Sequence, residues 1–165
     1  MKKDGKILLY IPDARFEYDY LRNKTTLIDV LSDYYENMTQ PSFNKVLENK
    51  VFTEKNKPRL HWKNYLKQYI RAKKHNKFSR FNENIAERRN YLLEAYFNGI
   101  EKKDLDRMYA EVKDNYTDTH VYTFIPESFK MIIDFLYKNS YIELQIDEIY
   151  DTNYKSLEFV VVLKK

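Results

Sequence analysis

The run Leu157-Glu-Phe-Val-Val-Val-Leu163 constrains the fold more than any other stretch of the chain. A nearly unbroken apolar, β-branched segment of this kind cannot keep one face in water, so it belongs in the middle of a sheet. The segment before it is different. Ile142, Leu144 and Ile146 recur at every second position between Tyr141 and Ile149, the pattern of a strand with one covered face. Asp151 to Ser156 reads as the loop between the two. Ahead of them Pro126-Glu-Ser opens a helix, with Pro in the first turn and an acid near the positive end of the dipole. Phe129, Ile132, Ile133, Leu136 and Tyr137 form its apolar face. The preceding Val121–Ile125 is short and β-rich.

A third strand is expected at the start, over Ile7–Ile11, between Gly5 and Pro12. Pro12 has no amide proton and is expected to end the ladder there. Directly beyond it come Asp13, Arg15, Asp19 and Arg22. Open α/β sheets place ligand sites at the carboxyl ends of their strands. The four charges therefore read either as a site or as surface ion pairs, and residue types alone do not decide between them.

The middle of the chain is helical. Thr25 or Thr26 can cap a helix that carries Leu27, Ile28, Leu31 and Tyr34 or Tyr35 to about Asn37. Pro41-Ser42 starts another through Val46, Leu47 and Val51. Asn82–Phe97 continues helically and stops at Asn98-Gly99, and Leu105, Met108 and Val112 mark a further helix to about Asn115. Between lies Lys55–Arg80, with ten Lys or Arg, two histidines (His61 and His75) and no Asp or Glu. Leu60, Trp62, Tyr65, Leu66, Tyr69 and Ile70 alternate with these charges as in an amphipathic helix. The stretch reads as an anion site or as a solvated face balanced by Glu83, Glu87, Glu94, Glu101 and Asp104. Nothing motif-like supports nucleic-acid recognition, which is not expected.

Composition narrows the chemistry. There is no cysteine, which excludes disulfides, thiol catalysis and zinc–thiolate sites. Gly5 and Gly99 are the only glycines among 165 residues, so neither a GxGxxG loop nor a P-loop can be built. No cofactor-binding and no metal-binding residues are expected. No run approaches the ~18 apolar residues of a membrane span and no signal peptide is legible, so a cytoplasmic protein of one domain, 1–165, is expected.

Gly5-Lys-Ile-Leu-Leu-Tyr-Ile-Pro-Asp13, with Arg15, Asp19, Arg22 and Thr25-Thr26, resembles a bacterial family of class I S-adenosylmethionine-dependent methyltransferases associated with glycosyltransferases in surface-polysaccharide synthesis. His120–Phe129 and the closing Glu158-Phe-Val-Val-Val-Leu-Lys164 are similar to the family's last segments. The resemblance covers both ends of the chain. Tyr122 stands where the family commonly has a second histidine and Tyr18 where it has Phe. In that fold the cofactor sits on the first four strands, which this sequence lacks. The resemblance therefore implies a truncated, C-terminal half of a Rossmann-like methyltransferase, with 41–116 as a helical insertion and 117–165 as the final helix and strand pair.

It implies an α/β, helix-rich fold with a small mixed sheet of about three strands. Their order is 6–11, 157–163, 141–149, with the C-terminal strand central and antiparallel to both neighbours. The outer edge of 6–11 is then unpaired, and association through it is expected, with a complementing N-terminal half or a second copy.

The implied function is the substrate-side half of a methyltransferase, inactive alone, with S-adenosylmethionine entering only with a complementing half. Asp13 and His120 are the candidates for base. Arg15, Asp19, Arg22 and Thr25 are the candidates for holding an anionic or sugar substrate. The alternative is a non-catalytic interaction module that uses the basic block 55–80.

Overall fold

The computed structural model of the chain describes residues 5–53, 62–63, 66–67, 70 and 78–165, without the side chains of 78–84. The basic stretch 55–80, including His61 and His75, lies for the most part outside the described residues.

Three strands and five helices follow one another among the described residues. They are β1 (Lys6–Pro12), α1 (Leu27–Tyr35), α2 (Phe43–Phe52), α3 (Phe78–Phe97), α4 (Lys102–Asp114), α5 (Pro126–Lys138), β2 (Gln145–Tyr150) and β3 (Glu158–Lys164). The strand order is β1-β3-β2. The apolar C-terminal strand is central, as its composition requires.

β1 and β2 each run antiparallel to β3, as expected, so the sheet is antiparallel throughout and the expected label of a mixed sheet is corrected. Pro12 does not end the first ladder. It pairs opposite Glu158, and Asp13 N–H still reaches Leu157 O at 2.8 Å. That bond shows that the odd-numbered residues of β1 turn their amides toward β3. The amide missing from Pro12 falls on the outer edge, where a strand tolerates it.

The second strand starts four residues later than its alternation suggests. Tyr141 N–H is taken by Leu136 O at 2.9 Å, after Ser140 turns back with φ 62°, so the end of α5 uses the first residues of that run. A bulge between Ile146 and Glu148 then shifts the register. It lets Ile146 and Ile149 share the covered face.

Val121–Ile125 forms no strand of its own. It contributes a single parallel bridge, Phe124 to Asp13, on the outer side of β1.

The core lies between β3 and α5. Phe159 and Val161 are fully buried and Leu163 nearly so, with Phe129 of α5 against them. Ile7, Leu9 and Ile11 join from β1. Phe124, Phe129 and Phe159 step edge-to-face through this layer, with centroids 5.2 and 5.8 Å apart. Burial of each such ring stabilises by about 1.5–3 kcal/mol.

A second cluster (Leu21, Val51 and Phe52, with Ile85, Leu92 and Tyr96) packs the loop after β1 onto α2 and α3. The opposite sheet face is open, with Leu8 and Tyr10 of β1 and Tyr150 of β2 exposed. No described helix is long and apolar enough to cross a membrane.

Candidate active site

The loop from Asp13 to Thr26 is short of regular structure, so its backbone groups must be satisfied by side chains. Lys24 does much of this. Its buried ammonium donates to the carbonyls of Asp19, Tyr20 and Arg22 at 3.1 Å and of Ala14 at 3.3 Å. Burial pushes its pKa down to about 8, against the pull of Asp19 and Asp13.

Asp13 and Arg15 form the first ion pair of this loop. Asp13 is wholly buried. Its Oδ1 accepts from the Arg15 backbone N–H at 2.9 Å and from Arg15 Nε at 3.0 Å. Its Oδ2 accepts from Arg15 Nη2 and from Thr152 Oγ1, both at 2.6 Å. Arg15 Nη2 also donates to Asp151 Oδ1 at 2.5 Å. Burial works to lower the Arg15 pKa, but the hydrogen bonds and charges of Asp13 and Asp151 outweigh it and raise it. Both oxygens of Asp13 are therefore committed, and the pair ties the loop to the segment before β3.

Asp19, Arg22 and Glu48 form the second group. Arg22 is buried and donates from Nη1 to Asp19 Oδ1 at 3.1 Å, with Nη2 at 3.6 Å from Glu48 Oε2. Glu48, on α2, also accepts from Asn23 N–H at 3.0 Å through Oε1. Arg22 Nε and Nη2 have no hydrogen-bond partner among the described residues. Two carboxylates thus flank one buried guanidinium. From α3, Arg89 donates to Leu21 O at 3.0 Å and to Asn23 Oδ1 at 2.8 Å, while stacking over Phe52 at 4.4 Å.

The segment 119–125 completes the site. Thr25 N–H donates to Thr123 O and Thr25 Oγ1 accepts from Thr123 N–H, both at 2.8 Å. This short zipper brings His120 beside Asp19, where Nδ1 lies 2.7 Å from Oδ2. The imidazole is 61% exposed and the carboxylate only 6%, so a buried acceptor orients a reachable ring. A carboxylate accepts, so Nδ1 carries the proton and Nε2 keeps its lone pair in the neutral ring.

Asp19 and His120 line a cleft of about 160 Å³, together with Glu17, Ala14, Tyr122 and the end of β1. Burial raises the Glu17 pKa, and the nearby Asp19 charge adds to the effect. Tyr122 is pushed up to about 12 by burial and by its 2.8 Å bond to Asp33 Oδ2.

All six residues singled out in the sequence meet around one loop. Asp19 and His120 reach the cleft, whereas Asp13, Arg15, Arg22 and Thr25 lie behind it. Glu17, Lys24, Glu48 and Thr152 were not foreseen. Glu17 and Lys24 sit within the charged stretch itself, but Glu48 and Thr152 come from distant segments with no local signal.

Among the described residues no group of three or more His, Asp or Glu is placed to hold a metal ion. The cleft is about half the ~300 Å³ at the small end of ordinary ligand pockets. Comparison of the chain with family models, with curated proteins and with solved structures finds no match.

Proposed function

We propose that this chain is the substrate-side half of an S-adenosylmethionine-dependent methyltransferase acting on a hydroxyl of a sugar or glycan precursor. The observation that carries the reading is the open Nε2 of His120, whose ring is fixed through Nδ1 by the buried Asp19. An acceptor hydroxyl in the cleft gives its proton to Nε2 as its oxygen becomes the nucleophile. Asp19 then stabilises the imidazolium, and Arg22 holds Asp19 in place. A positioned base of this kind contributes about 10²–10⁴-fold. Glu17 offers a hydrogen bond to a neighbouring hydroxyl. Asp13 and Arg15 hold the loop, so His120 and not Asp13 is the base in this reading.

The antiparallel central β3 between β1 and β2 is the arrangement the resemblance implies, and it supports the same reading. S-adenosylmethionine, held by a complementing half, would supply the methyl group.

The test is an NMR titration with nucleotide-activated sugars and methyl glycosides. Shifts confined to Glu17, His120 and Tyr122, and lost in His120→Ala, are expected. An unperturbed cleft overturns the proposal.

A second reading, a non-catalytic interaction module, is favoured by one observation. Asp13 and Arg15 spend their charges on each other instead of on a ligand. The basic stretch 55–80 that such a module would use lies mostly outside the described residues.

A further inference from the structure

The outer edge of β1 is both free and bounded. Odd-numbered residues of β1 bond to β3, so the backbone groups of Lys6, Leu8 and Tyr10 face outward. No described strand pairs with them. Beyond Tyr10 the edge closes, because Pro12 has no amide and Ala14 N–H is already taken by Phe124 O at 2.9 Å. Three consecutive outward positions therefore remain.

We propose that this edge pairs with the same edge of a second copy, antiparallel and centred on Leu8. In that register Lys6 stands opposite Tyr10 of the second copy, Leu8 opposite its own equivalent, and Tyr10 opposite Lys6. Every outward group then exchanges its bonds, and none needs the missing amide of Pro12. Moving the centre to Tyr10 would put Leu8 against Pro12 and drive the second strand into the Phe124 bridge. Moving it the other way puts Tyr10 opposite Lys2, outside the described residues. Among the described residues this is the two-fold register that pairs all three outward positions with one another.

Charge permits the contact. Edge lysines usually deter pairing, but Lys6 is drawn onto the open face by Asp147, at 2.6 Å, which also binds Lys164 at 2.7 Å. Among the described residues the two-fold brings no like charges together, and it lays each Lys6 across from a tyrosine ring, whose face attracts a cation. On the same face Leu8, 55% exposed, and Tyr10, 63% exposed, extend the apolar row of Val160 and Val162 across both copies. The result is a continuous six-stranded sheet. This inference uses none of the cleft residues, and the self-pairing it describes is that of the chain by itself, since a complementing half would occupy the same edge.

Sedimentation equilibrium over a range of concentrations tests it, together with amide hydrogen exchange. So short a contact predicts a dissociation constant on the order of 100 μM. Dimer mass should appear toward the highest concentrations, with Leu8 and Tyr10 amides becoming protected as it forms. Leu8→Asp places two carboxylates at the two-fold axis without touching the core, and should weaken the dimer at least about tenfold. Its far-UV spectrum checks that it folds, and Tyr10→Lys provides a second variant with the same expectation. A chain that stays monomeric at every concentration overturns the proposal. So does a dimer in which the Leu8 and Tyr10 amides exchange freely.

Discussion

His120 Nδ1 and Asp19 Oδ2 lie 2.7 Å apart across 101 residues of sequence, one on a segment before α5 and the other in the loop after β1. The Thr25–Thr123 zipper makes this meeting possible by registering the two segments, and Arg22 fixes the carboxylate from behind. The site is therefore a product of tertiary docking, although most of its charges are neighbours in sequence.

Asp19 is the partner Arg22 most needs. Asp19→Asn leaves a buried guanidinium that faces only Glu48, at 3.6 Å. Loss of one partner from a buried pair costs about 3–5 kcal/mol, to be read from urea unfolding. A loss below about 1 kcal/mol, within the range of exposed pairs, would mean that the pair does not hold the loop.

Lys24 gives the loop a pH signature. Its pKa is about 8 in the fold against 10.5 for the ordinary side chain, so between these values the unfolded chain binds the extra proton. Stability from this group therefore rises with pH through that window and is lost as pH falls through about 8. Unfolding of the native chain and of Lys24→Met at pH 7 and pH 9.5 isolates the effect. The native chain should gain on the variant at the higher pH. A constant difference would show that Lys24 titrates normally.

Trp62, the chain's single tryptophan, stacks on Phe16 with centroids 3.7 Å apart and donates from Nε1 to Ser156 O. Phe16→Leu removes the ring contact but keeps an apolar side chain. Fluorescence of Trp62 should shift to the red, with a stability loss of about 0.5–1.5 kcal/mol beyond the lost area. Unchanged emission would contradict the stack.

Thr26 closes a capping box with Asp29 at the start of α1, a helix with no buried residue of its own. Such a helix depends on its cap. Thr26→Ala should cost about 1 kcal/mol and selectively loosen amides 27–30 in hydrogen exchange. Uniform protection across α1 would argue against that dependence.

The sheet was legible because its strands differ in kind. Only Leu157–Leu163 is apolar enough to be central, and the alternating run before it can only be an edge. Pro12 misled because its effect depends on which side its nitrogen faces, which the sequence does not state. The start of β2 was displaced because the helix end claimed Tyr141 first. In the site, Asp13, Arg15, Asp19 and Arg22 were visible as a charge cluster, but their division of labour was not. Burial turned Asp13, Arg15 and Arg22 into anchors and left His120 at the surface of the cleft. Glu48 and Thr152 carried no signal, since an isolated polar residue in a helix or loop looks like any solvated one.

The most direct measurement is calorimetric titration of the purified chain with S-adenosylmethionine and S-adenosylhomocysteine at low and moderate salt. A substrate-side half without a cofactor cradle predicts no heat beyond dilution for either compound. Micromolar binding would contradict it, and would place a cofactor site on this chain.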